Sequence, residues 1–294
     1  MKVALFNATG AQGTAIASLL QKKDYELISP VRSEKNLALL ANRNIKAFLS
    51  DFSKESLKPI LAEVDQVVLQ IPAQISPNLM ISMANNALTA IQQVGSPRTI
   101  FVISSTIPEQ PTGKASPDAR WQMKQEAMSI LPDAILLSAT EYLENFSTSY
   151  LQAIKQEGII PQTIPNHLPV NYLSWHDLAL YVEAALQKTD LPPGFYPIGG
   201  AEGITGEALA LRLGKVLNKE LHYQTLSHQQ LEGFLTPIVG MPLAAELAEF
   251  YEWQDGEGSH LLNPDTSAIR KRLGITLADF ELWAKQAFSD SMAL

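Results

Sequence analysis

The chain has 294 residues, with 30 acidic against 22 basic side chains, a formal net charge of -8 and no cysteine. That length is enough for a sizeable core in one large domain or two closely associated ones, the missing cysteines exclude disulfides, thiolate nucleophiles and Cys-ligated metal, and the acidity argues against direct nucleic-acid binding. No apolar run approaches the roughly 20 residues that span a bilayer, no secretory leader precedes the first strand, and His167, His176, His222, His228 and His260 lack the paired spacing of a zinc site. The expectation is a cytoplasmic protein without metal or membrane contact.

Val3 to Phe6 reads as a short buried strand. It runs into the small-residue turn Asn7-Ala8-Thr9-Gly10-Ala11-Gln12-Gly13, and a helix follows with Ile16, Leu19 and Leu20 on one face. Strand, tight turn and helix form the phosphate-binding start of a dinucleotide-binding βαβ unit. Backbone N–H groups must approach a pyrophosphate there, and the helix N-terminus adds its partial positive charge. Gly10 permits that approach, and Gly13 lets the helix pack on the strand. Asn7 replaces the first glycine of the usual pattern, and Asn is the side chain that best tolerates positive φ. An ordinary strand-to-helix turn can look the same. The context favours the nucleotide, because the motif opens the domain and a second strand ends about 20 residues later, where the ribose is read. That strand ends in Ser29-Pro30-Val31-Arg32-Ser33. An NAD site would carry an acid here, whereas Arg32 with Ser33 suits a 2′-phosphate, so NADP(H) is expected ahead of NAD(H).

A helix over Glu34 to Ala41 leads to a third strand, Ile45 to Leu49, and then to Asp51 and Phe52. The loop after this strand passes the adenine in dinucleotide folds, which makes both residues candidates, with Phe52 also suited to the core. Helix Lys54 to Leu61 precedes a fourth strand, Val64 to Gln70, ended by Ile71-Pro72 at the carboxyl edge, where ligands bind. Helix Ser76 to Val94 and a β-branched fifth strand, Arg98 to Ser104, follow. Hydroxyls of Ser104, Ser105 and Thr106 could bond substrate or nicotinamide, or equally could serve the loop backbone. Pro108 to Pro117 reads as a mobile flap, Asp118 to Ile130 as a helix carrying Arg120 and Lys124, and Asp133 to Ser138 as a sixth strand. This alternation implies an α/β fold with a doubly wound parallel sheet.

The second half reads differently. A helical stretch from Glu141 to about Gln156 precedes a proline-rich segment to Val170, and Asp177 is placed to cap or start a helix over Leu178 to Gln187. Short strands are expected at Gly194 to Gly200 and His222 to Leu226, among helices that continue to the C-terminus. The expected organisation is a nucleotide-binding domain over residues 1–155, to which 170–200 returns, and a smaller helix-rich lobe over 156–169 and 201–294.

The motifs together resemble the NmrA-like, atypical branch of the short-chain dehydrogenase/reductase superfamily. They are NATGAQG at Asn7 to Gly13, VRS at Val31 to Ser33, Lys124, AILLSATEYLEN at Ala134 to Asn145, SWHDLA at Ser174 to Ala179 and YPIGGAEGITGEALALRLGKVL from Tyr196. They cover most of the chain in the expected order. The resemblance implies a Rossmann domain with a smaller C-terminal lobe, NADP(H) or NAD(H) as ligand, and a reductase of a quinone-like or other small conjugated carbonyl acceptor. The alternative it implies is a redox sensor that binds the nucleotide without turning it over and regulates a partner protein; a nucleotide-sugar epimerase-like enzyme is the least favoured. The superfamily's Tyr-x-x-x-Lys acid/base pair is incomplete, since Arg120 stands four residues before Lys124. Lys124 remains the counterpart of a lysine kept by isoflavone-reductase-like relatives, to bond the nicotinamide ribose or donate a proton, although a surface lysine is an equal reading. Tyr142 is a second catalytic candidate and lines the expected substrate pocket with Asn145 and Ser105. A monomer or a homodimer is expected.

Overall fold

In a computed structural model of the chain, which describes residues 1–289, strands and helices alternate from the start. They run β1 (Lys2–Leu5), α1 (Ala11–Lys22), β2 (Glu26–Val31), α2 (Glu34–Ala41), β3 (Lys46–Leu49) and α3 (Lys54–Leu61). Then come β4 (Gln66–Gln70), α4 (Pro77–Gln93), β5 (Arg98–Ile103), α5 (Ala115–Ile130) and β6 (Ile135–Ala139). The remainder holds a single turn α6 (Glu144–Ser147), β7 (Ile159–Gln162), α7 (Trp175–Gln187), β8 (Gly194–Ile198), α8 (Gly206–Leu217) and β9 (His222–Thr225). Helices α9 (His228–Val239), α10 (Leu243–Asp255), α11 (Ser267–Leu273) and α12 (Phe280–Ala287) complete the described residues.

Seven strands form one sheet in the order β3-β2-β1-β4-β5-β6-β8, with parallel pairing from β3 through β6. The central strands are buried on both faces, which is why β4 (QVVLQ) and β5 (RTIFVI) read as continuous runs and not as alternating patterns. Phe6, Leu69, Ile91, Phe101, Met123 and Leu136 belong to one core cluster between the sheet and helices α3 to α5. Each such side chain stabilises the fold by about 1.5–3 kcal/mol relative to exposure. The chain leaves β1 toward β2 and β3 on one side, then returns to build β4 on the other. That reversal opens a crevice at the carboxyl ends of β1 and β4.

The chain divides into two compact units. The first comprises Met1–Ala139, Leu178–Pro197 and Ser267–Ile275, and so holds the sheet. The second comprises Thr140–Asp177, Ile198–Thr266 and the chain from Thr276 on. In the second unit β7 pairs parallel with β9, and Phe146, Ile160, Tyr172, Leu213, Trp283 and Phe288 share a core. The helical stretch expected from Glu141 to Gln156 is broken here into α6 and a π-type turn, Ala153–Glu157, stopped by left-handed Gly158 at φ 72°. Asp177 lies in the first turn of α7, as a helix-start residue, and is not its cap. Its own N–H donates to Ser174 Oγ at 3.0 Å, so Ser174 caps the helix, and Asp177 Oδ1 accepts from the Ala278 N–H at 3.4 Å.

Two carboxyls of this unit stand out, buried Glu141 and half-buried Glu144. Glu144 Oε1 accepts from the Trp175 N–H at 3.0 Å and from Trp283 Nε1 at 3.2 Å, and Glu141 Oε1 accepts from Gln254 Nε2 at 2.8 Å. Burial pushes both carboxyls up to about 7, against the lowering effect of these donors. Between about pH 4.5 and about pH 7 the unfolded chain therefore releases protons that the folded chain keeps, and stability falls as pH rises through that window. Urea denaturation should show a chain more stable near pH 5 than near pH 8, by at most on the order of 3 kcal/mol per carboxyl. Glu141→Gln keeps an acceptor for Gln254 and should flatten part of this dependence.

Candidate functional site

The turn after β1 depends on left-handed backbone at Asn7, φ 58°. Its carbonyl accepts from the Gly10 N–H at 3.0 Å, and Gly10 becomes the N-cap of α1. The Gly10 N-cap has no side chain to cap that helix, and its first turn carries no acid, which leaves its positive end open to an anion. A Cβ on Gly13 would collide with the Asn7 carbonyl oxygen, and one on Gly10 would press on the Asn7 carboxamide at 3.0 Å. Ala11, the first residue of α1, is exposed. These features fit a pyrophosphate.

A cleft of about 60 Å³ continues from this turn, lined by Asn7, Thr9, Arg32, Phe52, Gln70 and Pro72 among others. Arg32 is exposed at the end of β2. The adjacent Ser33 caps α2, its Oγ accepting from the Asn36 N–H at 3.4 Å. Phe52 is left-handed, φ 62°, and buried against Phe6 edge to face at 5.9 Å. A bulky residue seldom adopts that backbone, and the Asn86 carboxamide secures it by donating to the Phe52 carbonyl at 3.1 Å. Phe52 thus both packs in the core and walls the cleft. Asp51 is exposed and accepts from the Ser53 N–H at 2.9 Å and Ser56 Oγ at 2.7 Å. The hydrogen bonds from Ser53 and Ser56 hold its carboxyl down at about 2. The Ile71 side chain belongs to the core cluster. Asn36 and Met83 also line the cleft, which sequence reasoning missed: each is one polar or apolar residue of an amphipathic helix, with nothing local to set it apart.

At the carboxyl ends of β4 and β5, three side chains close on one another. Gln70 Nε2 donates to Ser104 Oγ at 2.9 Å, Ser104 Oγ donates to Gln12 Oε1 at 2.7 Å, and Gln70 Nε2 also donates to Gln12 Oε1. Gln70 Oε1 is buried and accepts no hydrogen bond from the described residues, a polar group suited to a ligand donor. One residue on, Ser105 Oγ accepts from Arg120 Nε at 2.7 Å. The loop expected as a flap is anchored: Asp118 accepts from the Thr112 N–H and Oγ1 at 2.6 and 2.8 Å and from the Gly113 N–H at 3.0 Å. Lys124 lies one turn further along α5, its Nζ 4.0 Å from the centre of the Phe195 ring. Burial pushes its amine down from the ordinary lysine value, with Glu109 acting the other way.

Tyr142 and Asn145 belong to the second unit. Tyr142 is buried and bridges to Leu173, and the Asn145 N–H donates to the Tyr142 carbonyl at 3.2 Å. Among the described residues no helix is long and apolar enough to cross a membrane, and no group of His, Cys, Asp and Glu could hold a metal ion.

Comparison with known proteins gives a match to the NmrA-like family model over residues 1–273. An NAD(P)H azoreductase of Xenophilus azovorans is 23% identical over 257 residues, covering 85% of this chain and 86% of the relative. The triphenylmethane reductase of Citrobacter sp., solved with NADP(H), superposes with a TM-score of 0.80 at 21% identity, over 97% of this chain and 99% of that one. An NADPH-dependent quinone oxidoreductase of Escherichia coli, solved with NADPH, gives 0.78 at 20% identity, over 98% and 100%.

The packing at Gly13 is directly testable. Gly13→Ala should destabilise the protein by roughly 1–3 kcal/mol in urea denaturation, and should weaken nucleotide binding measured by calorimetry, because the added methyl forces the turn off α1.

Proposed function

The chain belongs to the NmrA-like family, and from that premise we propose that it is an NADPH-dependent reductase of a small conjugated acceptor such as a quinone. The observation that carries the cofactor choice is Arg32, standing at the end of β2 on the rim of the cleft that starts at the Asn7 turn. A guanidinium there pairs with a 2′-phosphate by charge and by a fork of donors, where an acid would favour a free ribose hydroxyl. The azoreductase, dye-reductase and quinone-reductase relatives support the reaction class.

In this reading the N–H groups at the start of α1, with Gly10 and Gly13, hold the pyrophosphate. Arg32 and Ser33 take the 2′-phosphate, and Asp51 and Phe52 border the adenine. Gln12, Gln70 and Ser104 meet the nicotinamide half, which when bound supplies the hydride. Ser105 is the candidate to contact the acceptor, and Lys124, which lies over Phe195 toward the opposite end of the sheet, is not placed to move a proton to it. Reduction of a conjugated acceptor needs little from a side-chain acid, since water can deliver the proton, so Arg120 in place of a tyrosine is no obstacle.

The test is NADPH absorbance against a panel of quinones, azo dyes and triphenylmethane dyes, with consumption expected for at least one class. Arg32→Ala should lower NADPH affinity by about tenfold or more, as the loss of a charge-assisted hydrogen bond does, and leave NADH affinity unchanged in fluorescence titration. Tight NADPH binding without consumption by any acceptor would overturn the reductase and leave a nucleotide sensor that regulates a partner protein.

A further inference from the structure

In the second unit α8 packs closely on β9. A Cβ on Gly206 would meet the Tyr223 ring at 2.6 Å, and one on Gly214 would meet the Lys219 carbonyl at 2.7 Å and Leu221 at 3.8 Å. Beside this contact runs an open groove of about 680 Å³, lined along the helix by Glu207, Leu211 and Lys215 and along the strand by Leu221, His222 and Tyr223.

The groove borders a strand edge that is built but not used. The His222 N–H donates to the Gly158 carbonyl at 2.8 Å and the Leu226 N–H to the Gln162 carbonyl at 2.7 Å, so the even-numbered residues of β9 face β7. The backbone groups of Leu221 and Tyr223 point the other way and meet no backbone partner among the described residues. The far edge of this two-stranded sheet is blunted, because Pro161 holds the outward position on β7 and has no N–H. β9 carries no such block.

The outer stripe of α8 shows what fits there. Glu207, Leu211 and Lys215 follow one another at four-residue spacing on one side of the helix, all exposed, Leu211 at 59%. This stripe is its own complement. Turned about a two-fold axis through Leu211, it sets Glu207 on the partner's Lys215, Lys215 on the partner's Glu207, and the two leucines on each other. The same axis serves the strand. With Gly206 against Tyr223 and Gly214 against Leu221, the middle of α8 stands level with His222. An axis at His222 places Leu221 opposite the partner's Tyr223 in antiparallel register, and such a pair exchanges both N–H···O bonds.

We propose that this face is the interface of a homodimer, in which β9 pairs antiparallel with β9 of a second copy and α8 packs on its counterpart beneath the joined sheet. One patch then meets itself, as a two-fold contact requires, and the sheet gains strands over a layer of two helices. An unrelated extended peptide could use the strand edge, but it would have no need of the matched charges on α8. The interface lies within the second unit and does not depend on the reductase reading.

Sedimentation velocity of the full chain over roughly 1–200 μM should show a monomer–dimer equilibrium with a Kd on the order of 10 μM, as suits a small and partly polar contact. Glu207→Lys or Lys215→Glu alone sets like charges together on both sides of the axis and should raise Kd about tenfold. The double variant Glu207→Lys/Lys215→Glu should return Kd to within about threefold of wild type. Within one chain the two side chains are about 12 Å apart along the helix, so they cannot rescue each other there. Both changes also oppose the helix dipole, Glu207 lying in the first turn and Lys215 in the last. The double variant should therefore be the least stable in urea and yet the one that dimerises again.

The strand register is read separately. The chain has no cysteine, so His222→Cys introduces a single thiol at an exposed position. At the axis of a non-hydrogen-bonded pair its Cα lies about 4.5 Å from its counterpart, within disulfide range. Mild oxidation should link most of this variant into a dimer on a non-reducing gel, and Gln224→Cys, exposed two residues further along β9, should link roughly tenfold more slowly. A monomer throughout the concentration range overturns the proposal. So do single charge reversals that leave Kd unchanged, a double variant no better than the worse single one, or linkage of Gln224→Cys as fast as that of His222→Cys. Should the double variant fail to fold, the two cysteine variants decide.

Discussion

Gly13 packs so closely on the Asn7 carbonyl that no side chain fits between them. This contact sets where α1 begins, and the left-handed torsion at Asn7 sets the direction in which the chain arrives. An L-residue pays a steric cost for that torsion, but Asn pays less than most. Once both conditions hold, the uncapped N-terminus of α1 stands at the carboxyl edge of the sheet, next to the point where strand order reverses between β1 and β4. The cleft beside Arg32, the Gln12 carboxamide and its partners on β4 and β5 all take their positions from that start.

Much of this was legible in the residues. The parallel sheet follows from apolar runs too continuous for a half-exposed sheet, and the phosphate turn follows from small residues between a strand and a helix. The closed arrangement of Gln12, Gln70 and Ser104 was not legible. Each was a candidate by its place at a strand end or in the turn, but their mutual hydrogen bonds join residues 34 to 92 positions apart. Phe52 shows a different limit. Its left-handed backbone is not what propensity would assign to a phenylalanine, and it is held by packing against Phe6 and by the Asn86 hydrogen bond to its carbonyl. The stretch after β6 differs for a third reason: its stop before Gly158 is legible, but its amphipathic pattern gives no sign of the π-type turn that precedes it.

Helix α5 shows how little separates two cations of different character. Arg120 and Lys124 are four residues apart, about 6 Å along the axis. Arg120 lies level with the end of β5 and bonds Ser105. Lys124 lies over Phe195, next to Gly194, whose N–H donates to the carbonyl of Ala134 just before β6. The helix runs antiparallel to the strands, so one turn carries a side chain from the ligand edge toward the opposite end of the sheet. Arginine, which stays charged when buried, is the residue of the pair that can serve as a fixed charge.

The sheet-bearing unit is drawn from three separate stretches of chain, the last of them Ser267–Ile275. During synthesis, the phosphate turn and β1 to β5 emerge within the first 103 residues, whereas β8, the edge strand beyond β6, follows only at Gly194–Ile198. The nascent chain therefore carries its nucleotide edge while β6 still has an unpaired side, and an open strand edge is a template for pairing with another chain. At ordinary elongation rates of about 5–20 residues per second, that interval lasts several seconds. The order of the strands along the chain thus leaves the outer edge of β6 open to mispairing for that interval.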